Sequence, residues 1–226
     1  MKDILYNEFI TLHSKNPDSI TDPIVLSTMW EPVINSQIPT ILAGKTNNTS
    51  QIGRILRNFE ENFIAEIPKL KSRALLGSSN LFTKYKAPIG GAANQITRSL
   101  STKIGNLWES IAVLSSNVIS PEKELGLKLK GIDVILVDKT TKIPYYSQLK
   151  TKKDTLTGSQ SHRSDEELAA FSNAYFVACI DCHCKWTYSG TIPKLVGAQF
   201  WDKTDIIYTL LEIEIGKVIR SIDTHI

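Results

Sequence analysis

Acids are missing from one long stretch of this sequence, and thiols, methionines and long apolar runs are scarce throughout. From Ile67 to Trp108 there are seven Lys or Arg and no Asp or Glu. Cysteine occurs three times, at Cys179, Cys182 and Cys184, crowded into six residues. That spacing does not look like a disulfide frame, and a reducing, cytoplasmic setting is expected. No apolar run approaches the roughly 20 residues of a bilayer span, so no membrane partner is expected. Met1–Tyr6 carries an early acid and no long apolar core, which argues against a signal peptide. No internal repeat is found.

What is present suits a packed α/β domain. The 226 residues are 42% apolar and 22% charged, enough for one core, and 1–226 is read as a single domain. The net charge of +3 is unevenly placed. A second basic stretch, Lys139 to Ser164, holds six Lys or Arg against one acid, Asp154. The remainder is therefore net acidic, and such segregation points to a polyanion-binding face.

Taken in order, the chain reads as follows. Residues 1–16 suit a helix, and 17–50 a loop broken by Pro17, Pro23, Pro32 and Pro39. Ile52, Ile55, Leu56, Phe59, Phe63 and Ile67 predict an amphipathic helix over 51–66. Residues 68–101 read as a Gly- and Ser-rich surface segment carrying Lys69, Lys71, Arg73, Lys84, Lys86 and Arg98, with Phe82 and Tyr85 interleaved. A helix over 102–116 has Ile104, Leu107, Trp108, Ile111 and Leu114 as its core stripe, with Glu109 on a neighbouring stripe of small residues. Strands are expected over 127–137 and 144–151 with a turn at 138–142, over 175–180, and over 186–192. Ser164–Glu167 reads as a capping box opening a helix, and the last helix is placed at 203–221.

One stretch organises this pattern. Gly131–Val137 is an apolar run with Asp133 inside it, and a buried carboxylate is costly unless something cationic compensates it. On the returning strand, Gln148 and Lys150 stand two residues apart and share a face. A hairpin would bring a carboxylate up to a carboxamide and an ammonium.

The order of helix with Glu109, strand with Asp133, strand with Gln148-Leu149-Lys150, helix, strand and final helix resembles the PD-(D/E)xK nuclease superfamily. It is most similar to the type II restriction endonucleases, over roughly Thr102 to Ile180. Ile132 stands where the family often has Pro, and Gln148 where it usually has Glu or Asp. The resemblance implies a restriction-endonuclease-like core: a central mixed β-sheet flanked by helices, with added N-terminal helices. Residues 102–226 would form the catalytic core, and 1–101 the N-terminal helices and a basic DNA-binding segment.

It further implies Mg²⁺-dependent hydrolysis of both strands of double-stranded DNA at a palindromic, A·T-rich site, by a homodimer within a restriction-modification system. Two other readings stand beside it: a structure-specific repair or junction nuclease, and a non-catalytic DNA-binding protein with a degenerate core. Mg²⁺, replaceable by Mn²⁺, would be held by Asp133, the Leu149 backbone carbonyl and Glu109. Gln148 would offer a neutral oxygen, and Lys150 would act on the attacking water.

Recognition is expected from the basic flanks. Lys71, Arg73, Lys84 and Lys86 would contact phosphates, and Lys152 and Lys153 follow the site lysine. Gln160, His162 and Arg163 are the first base-contact candidates, and Asn94, Gln95 and Arg98 the second. For Cys179, Cys182 and Cys184, reduced thiols are favoured over zinc, because a structural zinc site draws ligands from two separated segments.

Overall fold

The computed structural model describes residues 31–76, 81–155 and 159–226. The helix expected over 1–16 lies outside them.

Helix α1, Glu31–Gly44, replaces the second half of the expected loop. Its two prolines predict a loop, and tertiary burial overrides them. Pro32 sits in the first turn, where the missing N–H has no helical partner to lose. Pro39 is exposed, while Ile34 and Ile38 are buried one turn apart, and that apolar stripe decides the outcome.

Helix α2, Ile52–Leu76, is longer than the expected 51–66 and runs through Pro68. Leu70 and Ala74 extend the buried stripe of Leu56, Phe63 and Ile67 past the proline. After the short α3, Leu81–Lys84, helix α4 covers Pro88–Ala112. The basic segment over 68–101 is thus largely helical rather than loop-like. Gly90 and Gly91 lie within α4, where their missing side chains let Phe82 close on the helix; a Cβ at Gly90 would stand 2.7 Å from that ring.

Five strands make one mixed sheet, in the order β1 (Val118–Ile119), β2 (Val134–Val137), β3 (Pro144–Lys150), β4 (Ala174–Ala178), β5 (Lys194–Val196). β2 runs antiparallel to both β1 and β3; β4 lies parallel to β3, and β5 parallel to β4. The expected 127–137 strand is shortened to its last four residues, because Gly131 turns the chain at a φ of +75°. The turn before β3 is as expected: Asp138 accepts hydrogen bonds from the N–H groups of Thr140 and Thr141.

Between β1 and β2 lies the short α5, Pro121–Glu124, and between β3 and β4 lies α6, Ser159–Ala169. Helix α6 does not begin at a Ser164 capping box. Ser164 is buried inside it, one turn before Leu168, and Asp165–Glu167 fall in its second half.

Residues 186–192 form no strand. Their aromatic composition is strand-like, but the rings of Trp186 and Tyr188 lie against Phe176 of β4, at centroid distances of 5.7 and 4.7 Å. The edge position falls instead to β5. After α7, Ala198–Trp201, the last helix α8 begins at Tyr208 and ends at Asp223, five residues later than expected at its start. Its buried stripe is Tyr208, Leu211, Val218 and Ile222, while Ile207 and Leu210 beside it are exposed.

Strand alternation divides the sheet between two cores. Val134, Leu136, Leu149, Val177 and Cys179 face the cluster built by α2, α4 and α8. Ile135, Val137, Tyr146, Ala174 and Phe176 face a second cluster containing Ile34 and Ile38 of α1 and Leu168 of α6. No helix among the described residues is long and apolar enough to cross a membrane.

Candidate active site

The site lies where the β2–β3 ladder runs out. Val134 pairs with Ser147, so Asp133, one residue earlier, stands opposite Gln148. The Asp133 N–H donates to the Ser147 carbonyl at 3.0 Å, the last rung on this side. In an antiparallel pair, alternate residues turn both backbone groups to the same neighbour. Leu149 therefore turns its N–H and C=O toward a β2 that has already ended. The Asp133 carboxylate replaces the missing strand: Oδ2 accepts the Leu149 N–H at 2.6 Å. Gln148 and Lys150 turn their backbones the other way, and the Lys150 carbonyl accepts from Cys179 N–H at 2.8 Å.

Gln148 and Lys150 share a strand face with Tyr146, whose ring stacks on Phe171 just after α6 at 4.1 Å between centroids. Their side chains thus lie on the α6 face of the sheet. Gln148 is 5% exposed, and its Oε1 is buried without a hydrogen-bond partner among the described residues. A buried carboxamide oxygen left unpaired costs about 1–3 kcal/mol, so it is a feature that requires a cause.

Asp133 is part-buried, and its carboxyl is pushed up to about 6. Burial is the main cause; Leu149 N–H and the Lys150 ammonium work against it, while Glu109 and Glu167 add to it. The charges of two further carboxylates thus reach Asp133, and the Leu149 N–H and the half-buried Lys150 oppose them.

Glu109 lies near the end of α4, and the field it exerts at Asp133 agrees with the expected approach of that helix. It is not free: Oε1 accepts from the Ser120 hydroxyl at 3.1 Å and stands 3.8 Å from Lys123 Nζ. Its neighbour Trp108 fixes the helix to β3, donating its indole N–H to Thr151 Oγ1 at 3.1 Å, one residue past Lys150.

Glu167 is the residue that sequence reading missed. The Ser164–Glu167 spacing predicts a capping acid in a helix first turn; α6 instead carries Glu167 in its last turn, 5% exposed. The available signal was its place one residue before Leu168, on the edge of the stripe that faces the sheet.

The donor set suits a hard divalent cation. Asp133 offers a carboxylate, Leu149 a main-chain carbonyl and Gln148 an oxygen with nothing to accept, and Mg²⁺ takes oxygen ligands of these kinds. A cation there would also favour the ionised form of Asp133. Among the described residues, no three or more His, Cys, Asp or Glu side chains are gathered as a metal group. Any cation would therefore lean on neutral oxygens. Of the cysteines, Cys179 is wholly buried and its thiol pushed well up by burial, Cys182 is exposed and Cys184 half-buried. All three are free thiols.

The expected DNA contacts fall into two groups. Lys71, Arg73, Lys84, Lys86, Asn94 and Arg98 are exposed on α2, α3, α4 and the link before α4, and Gln95 is half-buried. Lys84 Nζ stands 5.4 Å from the Tyr85 ring centroid, and Tyr85 is exposed. The residues after Lys150 are placed differently. Lys152 pairs with Asp154 at 3.1 Å, Lys153 with Asp181 at 2.7 Å, His162 with Glu166 at 3.4 Å and Arg163 with Glu167 at 2.7 Å; Gln160 is exposed. Helix α6, not a loop, carries Gln160, His162 and Arg163.

Comparison with known protein families, with curated proteins and with solved structures finds no match for this chain.

Proposed function

We propose that this protein is a Mg²⁺-dependent endonuclease of the restriction type, with a restriction-endonuclease-like core, cutting both strands of double-stranded DNA at a specific palindromic site. The observation that carries the reading is the pairing of Asp133 with Gln148-Leu149-Lys150 at the open end of the ladder. A carboxylate pushed up to about 6 and an orphaned carboxamide oxygen face each other there. The carboxylate is held within the fold by the Leu149 N–H alone and the carboxamide oxygen by no described residue, and both are suited to a divalent cation.

Bound Mg²⁺ would supply Lewis acidity and neutralise charge on the phosphate. Asp133, the Leu149 carbonyl and Gln148 would hold it, with Mn²⁺ able to substitute. Lys150 orients the attacking water and balances charge as the phosphate gains a fifth oxygen. Glu109, tied to Ser120, steadies the position of α4 against the site and adds negative charge from a distance. The exposed cations of α2 to α4 attract the duplex backbone without reading sequence. A palindrome calls for a two-fold dimer with one such site for each strand.

A plasmid digest with Mg²⁺, with Mn²⁺ and with EDTA tests the reading. Discrete bands with either metal and none with EDTA are expected. A smear, or cutting confined to branched DNA, would replace it with a repair or junction nuclease. Binding without metal-dependent cleavage would leave a DNA-binding protein on a retired core.

A further inference from the structure

We infer that Glu167 is the second anionic ligand of this site, standing in from α6 for the carboxylate that Gln148 lacks; the inference rests on the metal-site reading above. Its two oxygens have different surroundings. Oε1 accepts from Arg163 Nε at 2.7 Å and lies 4.0 Å from Lys130 Nζ. Oε2 makes no hydrogen bond among the described residues. It lies against Gly131, two residues before Asp133, so closely that a Cβ at Gly131 would collide with it. The φ of +75° at Gly131 and the absent side chain are what allow this approach.

An ordinary helix ion pair does not account for this placement. Arg163 leaves two thirds of its side chain in solvent, while that of Glu167 is 6% exposed. Glu167 is turned inward, toward the sheet face that carries Gln148 and Lys150, and its charge is felt at Asp133. A buried carboxylate placed near a second one costs free energy unless a cation joins them. Gln148, buried with its Oε1 unpaired on that same face, is the independent sign that a ligand belongs between them. Asp133 and Glu167 would supply two negative charges, with Gln148 and the Leu149 carbonyl as neutral oxygens. That set matches the preference of Mg²⁺ and Mn²⁺ for one or two carboxylates.

The test is Mn²⁺ binding to the full chain without DNA, by titration calorimetry, in the wild type and in Asp133→Asn, Glu167→Gln and Arg163→Ala. Thermal melting would confirm the fold of each. Glu167→Gln should weaken Mn²⁺ by about tenfold or more, while Arg163→Ala, which keeps the carboxylate, changes it less than about threefold. In the wild type, paramagnetic broadening of the Glu167 carboxyl carbon on adding Mn²⁺ gives a reading that needs no variant. Mn²⁺ affinity lost in Asp133→Asn but kept in Glu167→Gln overturns the role of Glu167 and leaves the proposed function standing. Affinity unchanged in both, or no Mn²⁺ binding by the wild type, overturns both. Equal losses in Arg163→Ala and Glu167→Gln would reduce Glu167 to a counter-ion.

Discussion

Two stretches of this chain carry an excess of cations, and the fold uses them in opposite ways. From Ile67 to Trp108, Lys69, Lys71, Arg73, Lys84, Lys86 and Arg98 are exposed and form no ion pair with a described residue; only Lys103 does, with Glu66 at 3.0 Å. From Lys139 to Ser164, Lys139 pairs with Asp205, Lys152 with Asp154, Lys153 with Asp181 and Arg163 with Glu167. Of that second group, Lys142 and Lys150 form no ion pair with a described residue: Lys142 donates to the Lys139 carbonyl, and the Lys150 charge acts on Asp133. Equal richness in Lys and Arg therefore means available charge in the first stretch and charge already matched within the fold in the second.

The largest expected effect breaks the comparison at its centre. Lys150→Ala should lower the cleavage rate by about 10²–10⁴-fold at unchanged DNA affinity, read by single-turnover cleavage and a binding isotherm. A variant cutting at the wild-type rate would remove Lys150 from the site. Next is the first stretch itself. Changing Lys71, Lys84, Lys86 and Arg98 together to Ala should flatten the dependence of log Kd on log salt by about 0.9 for each phosphate no longer neutralised. The matching change of Lys139, Lys152 and Lys153 should leave that slope nearly intact. Equal slopes in the two variants would dissolve the distinction.

Asp133 links charge to stability. Its folded pKa of about 6 lies above the usual carboxylate value, so the fold holds a proton that the unfolded chain releases. Without divalent cation, stability should fall by about 2 kcal/mol as pH rises from about 4 through 6, and stay low above it. Asp133→Asn keeps an acceptor for Leu149 N–H and removes the charge. It should melt about 5 °C above the wild type at pH 8 and near it at pH 4. A melting difference that does not change with pH would contradict the assigned burial.

The smallest effect concerns the matched stretch. Burial opposes ionisation of Asp205, yet hydrogen bonds from Lys139, Ser116 and Ser115 hold its carboxyl well below the usual range. Lys139→Met should cost about 1 kcal/mol in urea unfolding with no change in cleavage. No loss of stability would mean that this pair is solvated rather than structural.

The sequence made the hairpin legible because strand alternation and turn chemistry are local. Asp133, Gln148 and Lys150 could be placed by counting, and the register that sets Asp133 opposite Gln148 follows from the Asp138 turn. The misreadings have one physical origin: tertiary burial outweighs local signals. Pro39 reads as loop and the segment after Ile67 as a surface stretch, yet the stripes of Ile34–Ile38 and Ile67–Leu70–Ala74 hold helices through both. Gly90 and Gly91 read as loop, yet they make room for Phe82. Glu167 was hidden for a related reason. Its capping-box spacing offered a local explanation, and only the fold shows that its oxygen lies against Gly131. The pairing of Lys153 with Asp181, just past the ends of the neighbouring strands β3 and β4, has no local signature.

Helix α4 holds both kinds of chemistry on one rod. Its early turns carry Asn94, Gln95 and Arg98; its last turns carry Glu109 and the Trp108 indole bonded to Thr151. Each residue of an α-helix turns the chain by about 100° and advances it about 1.5 Å. Inserting or deleting one residue between Arg98 and Leu107 therefore rotates one end against the other by more than a quarter turn. Either the exposed face swings out of line or Trp108 leaves its socket. Single substitutions along this span are gentle by comparison, so the protein should accept changes of spelling there far more readily than changes of length.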